Sequence, residues 1–139
     1  MIRAIIVEDE QPAADRLMNF LKKEGDVKVV GIYASGKEAA EQIDAITPDL
    51  VFLDIHLSDI SGIDLLRLIS HKPAIIFTTA YDQYAIQAFE LRAVDYLLKP
   101  YSEERLNEAV ERVREHLAGK ENPMQQIQDL LVHWQPKQP

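Results

Sequence analysis

The chain has 139 residues, 47% of them hydrophobic, enough for one domain with a real core and a short extension. A formal charge of -8 leaves no clustered Lys and Arg to grip a phosphate backbone, so this chain alone is not expected to bind DNA. There is no cysteine, which excludes disulfides and thiol chemistry. The apolar runs are strand-sized and acids already stand at Glu8 and Asp9, where a signal peptide would be apolar, so a cytoplasmic location without membrane contact is expected.

Short apolar runs alternate with longer amphipathic stretches, the pattern of repeated strand–helix units around a parallel sheet. The first strand is expected over Ile2 to Val7, followed by a helix over about Gln11 to Lys23. That helix carries an apolar stripe of Ala14, Leu17, Met18 and Leu21, has Pro12 in its first turn and stops at Gly25. A second strand spans Val27 to Ile32, and Ser35-Gly36 opens the second helix. Leu50 to Leu53 forms the third strand, with Gly62 opening the third helix. Ala74 to Thr78 forms the fourth strand, and the run from about Asp82 to Leu91 the fourth helix. The last strand is Asp95 to Leu98, and Ser102-Glu103-Glu104-Arg105 caps a fifth helix whose Leu106, Val110, Val113 and Leu117 face the core. The middle three strands read as buried on both faces, because continuous β-branched runs suit strands covered by helices on either side. A domain over residues 1–118 is therefore expected. Gly119-Lys120-Glu121-Asn122-Pro123 reads as a hinge, and Met124, Ile127, Leu131 and Trp134 recur at helical spacing, so residues 119–139 read as a linker and short amphipathic helix.

Three carboxylates and one lysine stand at the carboxyl ends of candidate strands: Glu8 and Asp9 after the first, Asp54 after the third and Lys99 after the fifth. Any one alone would be an ordinary solvated turn residue. In an open parallel sheet, however, these ends form one edge, the edge where such folds place their ligands. Asp54, after the most apolar strand, is the candidate nucleophile for phosphoryl transfer, which needs an unprotonated oxygen, offset charge and in-line placement. Bringing three acids together is costly without a counterion, and Mg²⁺ relieves that cost with one or two carboxylates plus waters and phosphate oxygens. Asp9 and Asp54 are the expected direct ligands, with Glu8 acting through water and the backbone carbonyl of His56 completing the set. The four histidines show no zinc-like spacing, and the His56 imidazole is not required. Lys99 can pair with Asp54 at rest and with a phosphoryl oxygen afterwards. Pro100 makes a cis bond plausible at Lys99-Pro100. Thr79, ahead of small Ala80, is a better hydroxyl donor to a phosphoryl group than Thr78.

In this order the residues resemble the receiver domain of bacterial two-component response regulators, over about Met1 to Leu117. The segment from Asp54 to Gly62 matches that family's loop, apart from Ser58 where many members have proline. The stretches Phe77 to Ala85 and Ala88 to Tyr101 resemble receivers of the LytTR class of transcriptional regulators. The resemblance implies a flavodoxin-like (βα)5 three-layer sandwich with strand order 2-1-3-4-5. It further implies Asp54 as phosphoacceptor, Thr79 as hydroxyl switch, Lys99 as the paired lysine, and Tyr96 as an aromatic switch that enters space vacated by Thr79. A sensor histidine kinase would be the donor. The chain would be no enzyme beyond a capacity for self-dephosphorylation, and a β-rich DNA-binding output domain would follow it. The phosphorylated form would alter the surface of the fourth helix, fifth strand and fifth helix, where Arg92, Asp95 and Arg105 could pair across a two-fold homodimer.

Three rivals are weaker. A stand-alone receiver or phosphorelay protein would share the site but lack the output domain. A haloacid dehalogenase-type phosphatase wants a general acid two residues past the nucleophile, where this chain has His56. A flavin-binding module wants a neutral phosphate loop where Glu8-Asp9-Glu10 stands.

Overall fold

The computed structural model describes residues 1–119. Five strands form one parallel sheet: β1 (Ile2–Val7), β2 (Val27–Tyr33), β3 (Leu50–Asp54), β4 (Ala74–Thr79) and β5 (Asp95–Leu98), in the order β2-β1-β3-β4-β5. The helices α1 (Gln11–Leu21), α2 (Gly36–Ile46), α3 (Gly62–Leu68), α4 (Ala85–Glu90) and α5 (Glu103–Leu117) connect them. The expected three-layer sandwich and strand order are both present.

Alternation along each strand divides the core in two. Ile5, Val7, Val51, Leu53, Ile75 and Phe77 face α2, α3 and α4, while Ala4, Ile6, Leu50, Phe52 and Ile76 face α1 and α5. Each fully buried large side chain stabilises by roughly 1.5–3 kcal/mol, so the sheet is anchored from both faces. Serines set three helix starts: Ser35, Ser61 and Ser102 each accept from the backbone N–H three residues on, at 3.2, 3.0 and 3.0 Å.

Four expectations need correction. The second strand is not buried: β2 lies at the sheet edge and is only partly covered, with Ile32 44% exposed, whereas β1 in the interior is buried. Apolar composition reports what a strand can bury, not where it sits. The first helix ends at Leu21 rather than Lys23. The fourth is shorter than its periodicity suggests, because Asp82–Tyr84 forms a single 3-10 turn before α4 begins. Leu117, the last residue of α5, is 46% exposed where the stripe runs off the end of the sheet. The linker and helix read over residues 119–139 lie, beyond Gly119, outside the described residues.

Candidate functional site

The carboxyl ends of the strands collect the chemistry. Parallel pairing places β1 beside β3, β3 beside β4 and β4 beside β5, so the residues leaving each strand emerge side by side. Glu8, Asp9 and Asp54 offer carboxylate oxygens that all lie within 4.8 Å of one another. Lys99 reaches into the group, its Nζ donating to Glu8 Oε1 at 2.5 Å and to Asp54 Oδ2 at 3.1 Å. The Lys99-Pro100 bond is cis, and the Lys99 N–H donates to the Thr79 carbonyl at 2.7 Å.

Backbone fixes the rest. The His56 N–H donates to Asp54 Oδ1 at 3.0 Å, and the Glu10 N–H to Glu8 Oε2 at 3.2 Å. The loop after Asp54 is pinned where His56 bridges to Ser61 and the Gly62 N–H donates to the Ile55 carbonyl at 2.8 Å. Gly62 is required there: a Cβ would stand 2.3 Å from the Asp54 carbonyl oxygen, a backbone atom that cannot give way. Asp59, lower in the same loop, accepts from Ser35 Oγ and from the Gly36 and Lys37 N–H groups, each at 2.9 Å. Those donors hold its carboxyl far below the usual range and fasten the loop to the start of α2.

The cluster is electrically unbalanced. Burial pushes the Glu8 carboxyl up, a hydrogen bond and charge from Asp54 push it further, and Lys99 only partly opposes them. Burial also works against the Lys99 ammonium, yet Glu8 and Asp54 together hold its pKa above the ordinary value. The charge therefore stays on Lys99, and Glu8 bears the repulsion of its acidic neighbour. Three acids facing one lysine leave room for a hard cation, and oxygen donors with one exposed member, Asp9, suit such an ion. Glu8 bonds Lys99 directly, sharing the ammonium with Asp54.

Thr79 and Thr78 are both buried. Thr79 Oγ1 accepts from the Tyr81 N–H at 3.3 Å. Tyr96, the implied aromatic switch, lies inside, 6% exposed, its ring 6.4 Å from Phe77 and its hydroxyl donating to the Tyr81 carbonyl. Burial raises its phenol pKa. The His56 ring packs 4.5 Å from Tyr81 and 5.2 Å from Tyr84.

On the surface expected to form a dimer, Tyr81, Ile86 and Leu91 are exposed while Ala85 and Ala88 belong to the core. Asp95 is not a surface charge. It is fully buried, and Arg105 and Arg112 of its own chain bind its two oxygens at 2.5–2.8 Å. The seven-residue spacing of those arginines along α5 is the signal that could have revealed this. Asp59 left no comparable trace, since its partners lie more than twenty residues upstream.

The profile of the response regulator receiver domain family matches residues 4–111. The chain is 38% identical over 133 residues to the sensory transduction protein LytT of Bacillus anthracis, covering 94% of this chain and 53% of that protein. It is 41% identical over 117 residues to the transcriptional regulatory protein BtsR of Escherichia coli strain K12, covering 83% and 49%. It thus spans about half the length of the curated relatives it matches. Among solved structures, the response regulatory domain of protein mrkE from Klebsiella pneumoniae superposes with a TM-score of 0.77 at 33% identity, covering 83% of this chain and 97% of that one. No helix among the described residues is long and apolar enough to cross a membrane.

Proposed function

The chain belongs to the response regulator receiver domain family, and from that membership we propose that Asp54 accepts a phosphoryl group from the phosphohistidine of a sensor kinase. The observation that carries this reading is the Asp54 carboxylate itself, buried beside Lys99 with its N–H donor from His56 and two further acids within 4.8 Å. A carboxylate oxygen attacks phosphorus, the new O–P bond forms as the bond to the donor nitrogen breaks, and the imidazole leaves with that electron pair. Mg²⁺, held by Asp9, Asp54 and the His56 carbonyl with Glu8 nearby, would offset the charge on the transferring group. Lys99 then exchanges its pairing with Asp54 for one with a phosphoryl oxygen, and Thr79 turns its hydroxyl from the Tyr81 N–H toward the same group. Self-dephosphorylation by water would reset the site.

The consequence falls on β5 and the two helices flanking it, α4 and α5. Moving such an equilibrium from 1:99 to 99:1 takes about 5.5 kcal/mol of preference for the switched state, a load several charge-assisted bonds to a dianion can carry. The likeness to LytT and BtsR supports a regulatory half of a LytTR-type transcriptional regulator, working in the cytoplasm and reaching DNA through an output domain. A homodimer through α4, β5 and α5 would then rest on Tyr81, Ile86, Leu91 and Arg92 rather than on Asp95.

Acetyl phosphate with Mg²⁺, followed by intact-mass measurement, tests the phosphoacceptor. The chain should gain one phosphoryl group, and Asp54→Asn or chelation of the metal should abolish the gain. An equal gain in Asp54→Asn would refute the assignment.

A further inference from the structure

The two loops that bring the acids together share one support, the turn between β2 and α2. At its start the Tyr33 carbonyl accepts from the Glu8 N–H at 3.0 Å, which holds the loop of Glu8 and Asp9 to the end of β2. Further along the turn, Ser35 Oγ and the Gly36 and Lys37 N–H groups all donate to Asp59, in the loop that leaves Asp54 and carries His56. Gly36 also lies directly beneath that loop: a Cβ there would stand 2.7 Å from Ile60 Cγ1 and 3.1 Å from Leu57 Cδ1. One short stretch, Tyr33 to Lys37, thus grips both halves of the acidic cluster.

Asp59 is exposed, so filling the core does not require it, yet its carboxylate takes three donors from a distant part of the chain. What those bonds fix is the seat of the loop. That loop supplies the His56 N–H on Asp54 Oδ1 and the His56 carbonyl assigned to the metal. Mg²⁺ demands near-ideal octahedral geometry, so a ligand carried on a loosened loop binds it poorly. Asp44 makes the same kind of clamp at the other end of α2, where its Oδ1 accepts from the Ser70 and His71 N–H groups at 2.9 Å each. The two clamps are alike in chemistry and differ in what they hold.

Resting on the reading of the acidic cluster as the Mg²⁺ and phosphoryl site, we propose that Asp59 is a positioning residue for the metal. Through the β2–α2 turn it sets the loop of His56 against the loop of Glu8 and Asp9, and so the fit of the site to Mg²⁺. Losing it opens the site without removing a ligand.

Amide NMR on the isotope-labelled full chain, titrated with MgCl2, measures binding directly, and the acetyl phosphate reaction at stepped Mg²⁺ measures its use. Asp59→Ala should raise the Mg²⁺ dissociation constant about tenfold, the scale of losing a group that supports a metal ligand. Its phosphoryl gain should slow at low Mg²⁺ and return toward the wild-type rate at saturating Mg²⁺. Asp59→Asn, which keeps one acceptor oxygen, should lie between, and it carries the comparison if Asp59→Ala does not fold. Asp44→Ala should leave the dissociation constant unchanged, although it removes a like clamp. A wild-type dissociation constant in both Asp59 variants would overturn the proposal, as would an equal rise in Asp44→Ala, the mark of general loosening. A wild-type chain that binds Mg²⁺ without gaining a phosphoryl group would remove the phosphoacceptor reading alone, the Mg²⁺ comparison still deciding the role of Asp59. One with no response to Mg²⁺ would remove both.

Discussion

Strand β5 has a charged cluster at each end, and the two are built to opposite rules. At its start one carboxylate, Asp95, is fully buried between two guanidiniums. Past its end one ammonium, Lys99, faces Glu8 and Asp54 with Asp9 close by. The first cluster is closed, its acceptor lone pairs filled by donors from α5 and by the Tyr96 N–H. The second carries more acid than base and one exposed oxygen donor. The same residue types thus yield a fastening in one place and a receptive site in the other, and the difference lies in the ratio of charges and in whether solvent can reach them. A third group, partly solvent-exposed, ties α5 to the chain ahead of β2: Arg114 binds Glu24, Asp26 and Glu111 at 2.6–3.0 Å.

The largest test of this contrast is Asp95→Ala, which leaves two poorly exposed guanidiniums facing a vacancy. It should cost about 3–5 kcal/mol in urea denaturation, the range for breaking a buried pair by removing one partner. A loss comparable to that of an exposed ion pair would mean the closed cluster contributes little. Next in size is the response to metal. Mg²⁺ at a hundred times its dissociation constant should stabilise the folded chain by about 2.7 kcal/mol, seen as a rise in Tm that a chelator reverses and Asp9→Asn diminishes. An unchanged Tm would contradict the reading of the acidic excess as a cation site.

Smaller still is the effect of Asp54→Asn without metal. Relief of repulsion on Glu8 offsets the lost bond to Lys99, so the net change should stay below about 1.5 kcal/mol, the scale of one ordinary hydrogen bond. Destabilisation as large as that of Asp95→Ala would erase the distinction between the two clusters.

The finest test is pH. Glu8 has a folded pKa above its unfolded 4.5, so the folded chain keeps that proton longer and stability falls as pH rises from 4.5 through the folded value. Lys99 is also raised, so its contribution is complete below 10.5 and disappears as pH climbs through its folded value. Asp26 is lowered by its hydrogen bond with Arg114, so its contribution is present above 3.8 and is lost as pH falls through the folded value. Glu8→Gln should therefore remove a downward slope above pH 4.5, while Arg114→Ala should remove an acid-side loss below pH 3.8. Identical pH profiles for both variants and the wild type would contradict these assignments.

Local patterns made most of the fold legible. The apolar runs located all five strands within a residue or so, and Ser35 and Ser102 marked two helix starts through capping chemistry that needs only near neighbours. Acids and a lysine at strand ends announced the site because parallel topology converts those positions into one edge. What stayed hidden depends on three-dimensional placement. The edge position of β2, the inward seat of Tyr96, the sharing of Lys99 with Glu8, and the engagement of Asp95 by α5 all turn on neighbours far away in sequence or on competition among several charges. Asp95 and Asp54 look alike as letters; only their partners tell them apart.

The phosphoacceptor is most directly located by reducing the acetyl phosphate-treated, Mg²⁺-bound chain with borohydride, which converts an aspartyl phosphate to homoserine, and sequencing the peptides by mass spectrometry. The account predicts homoserine at position 54 and aspartate retained at Asp9 and Asp59. Homoserine elsewhere, with Asp54 unmodified, would contradict it.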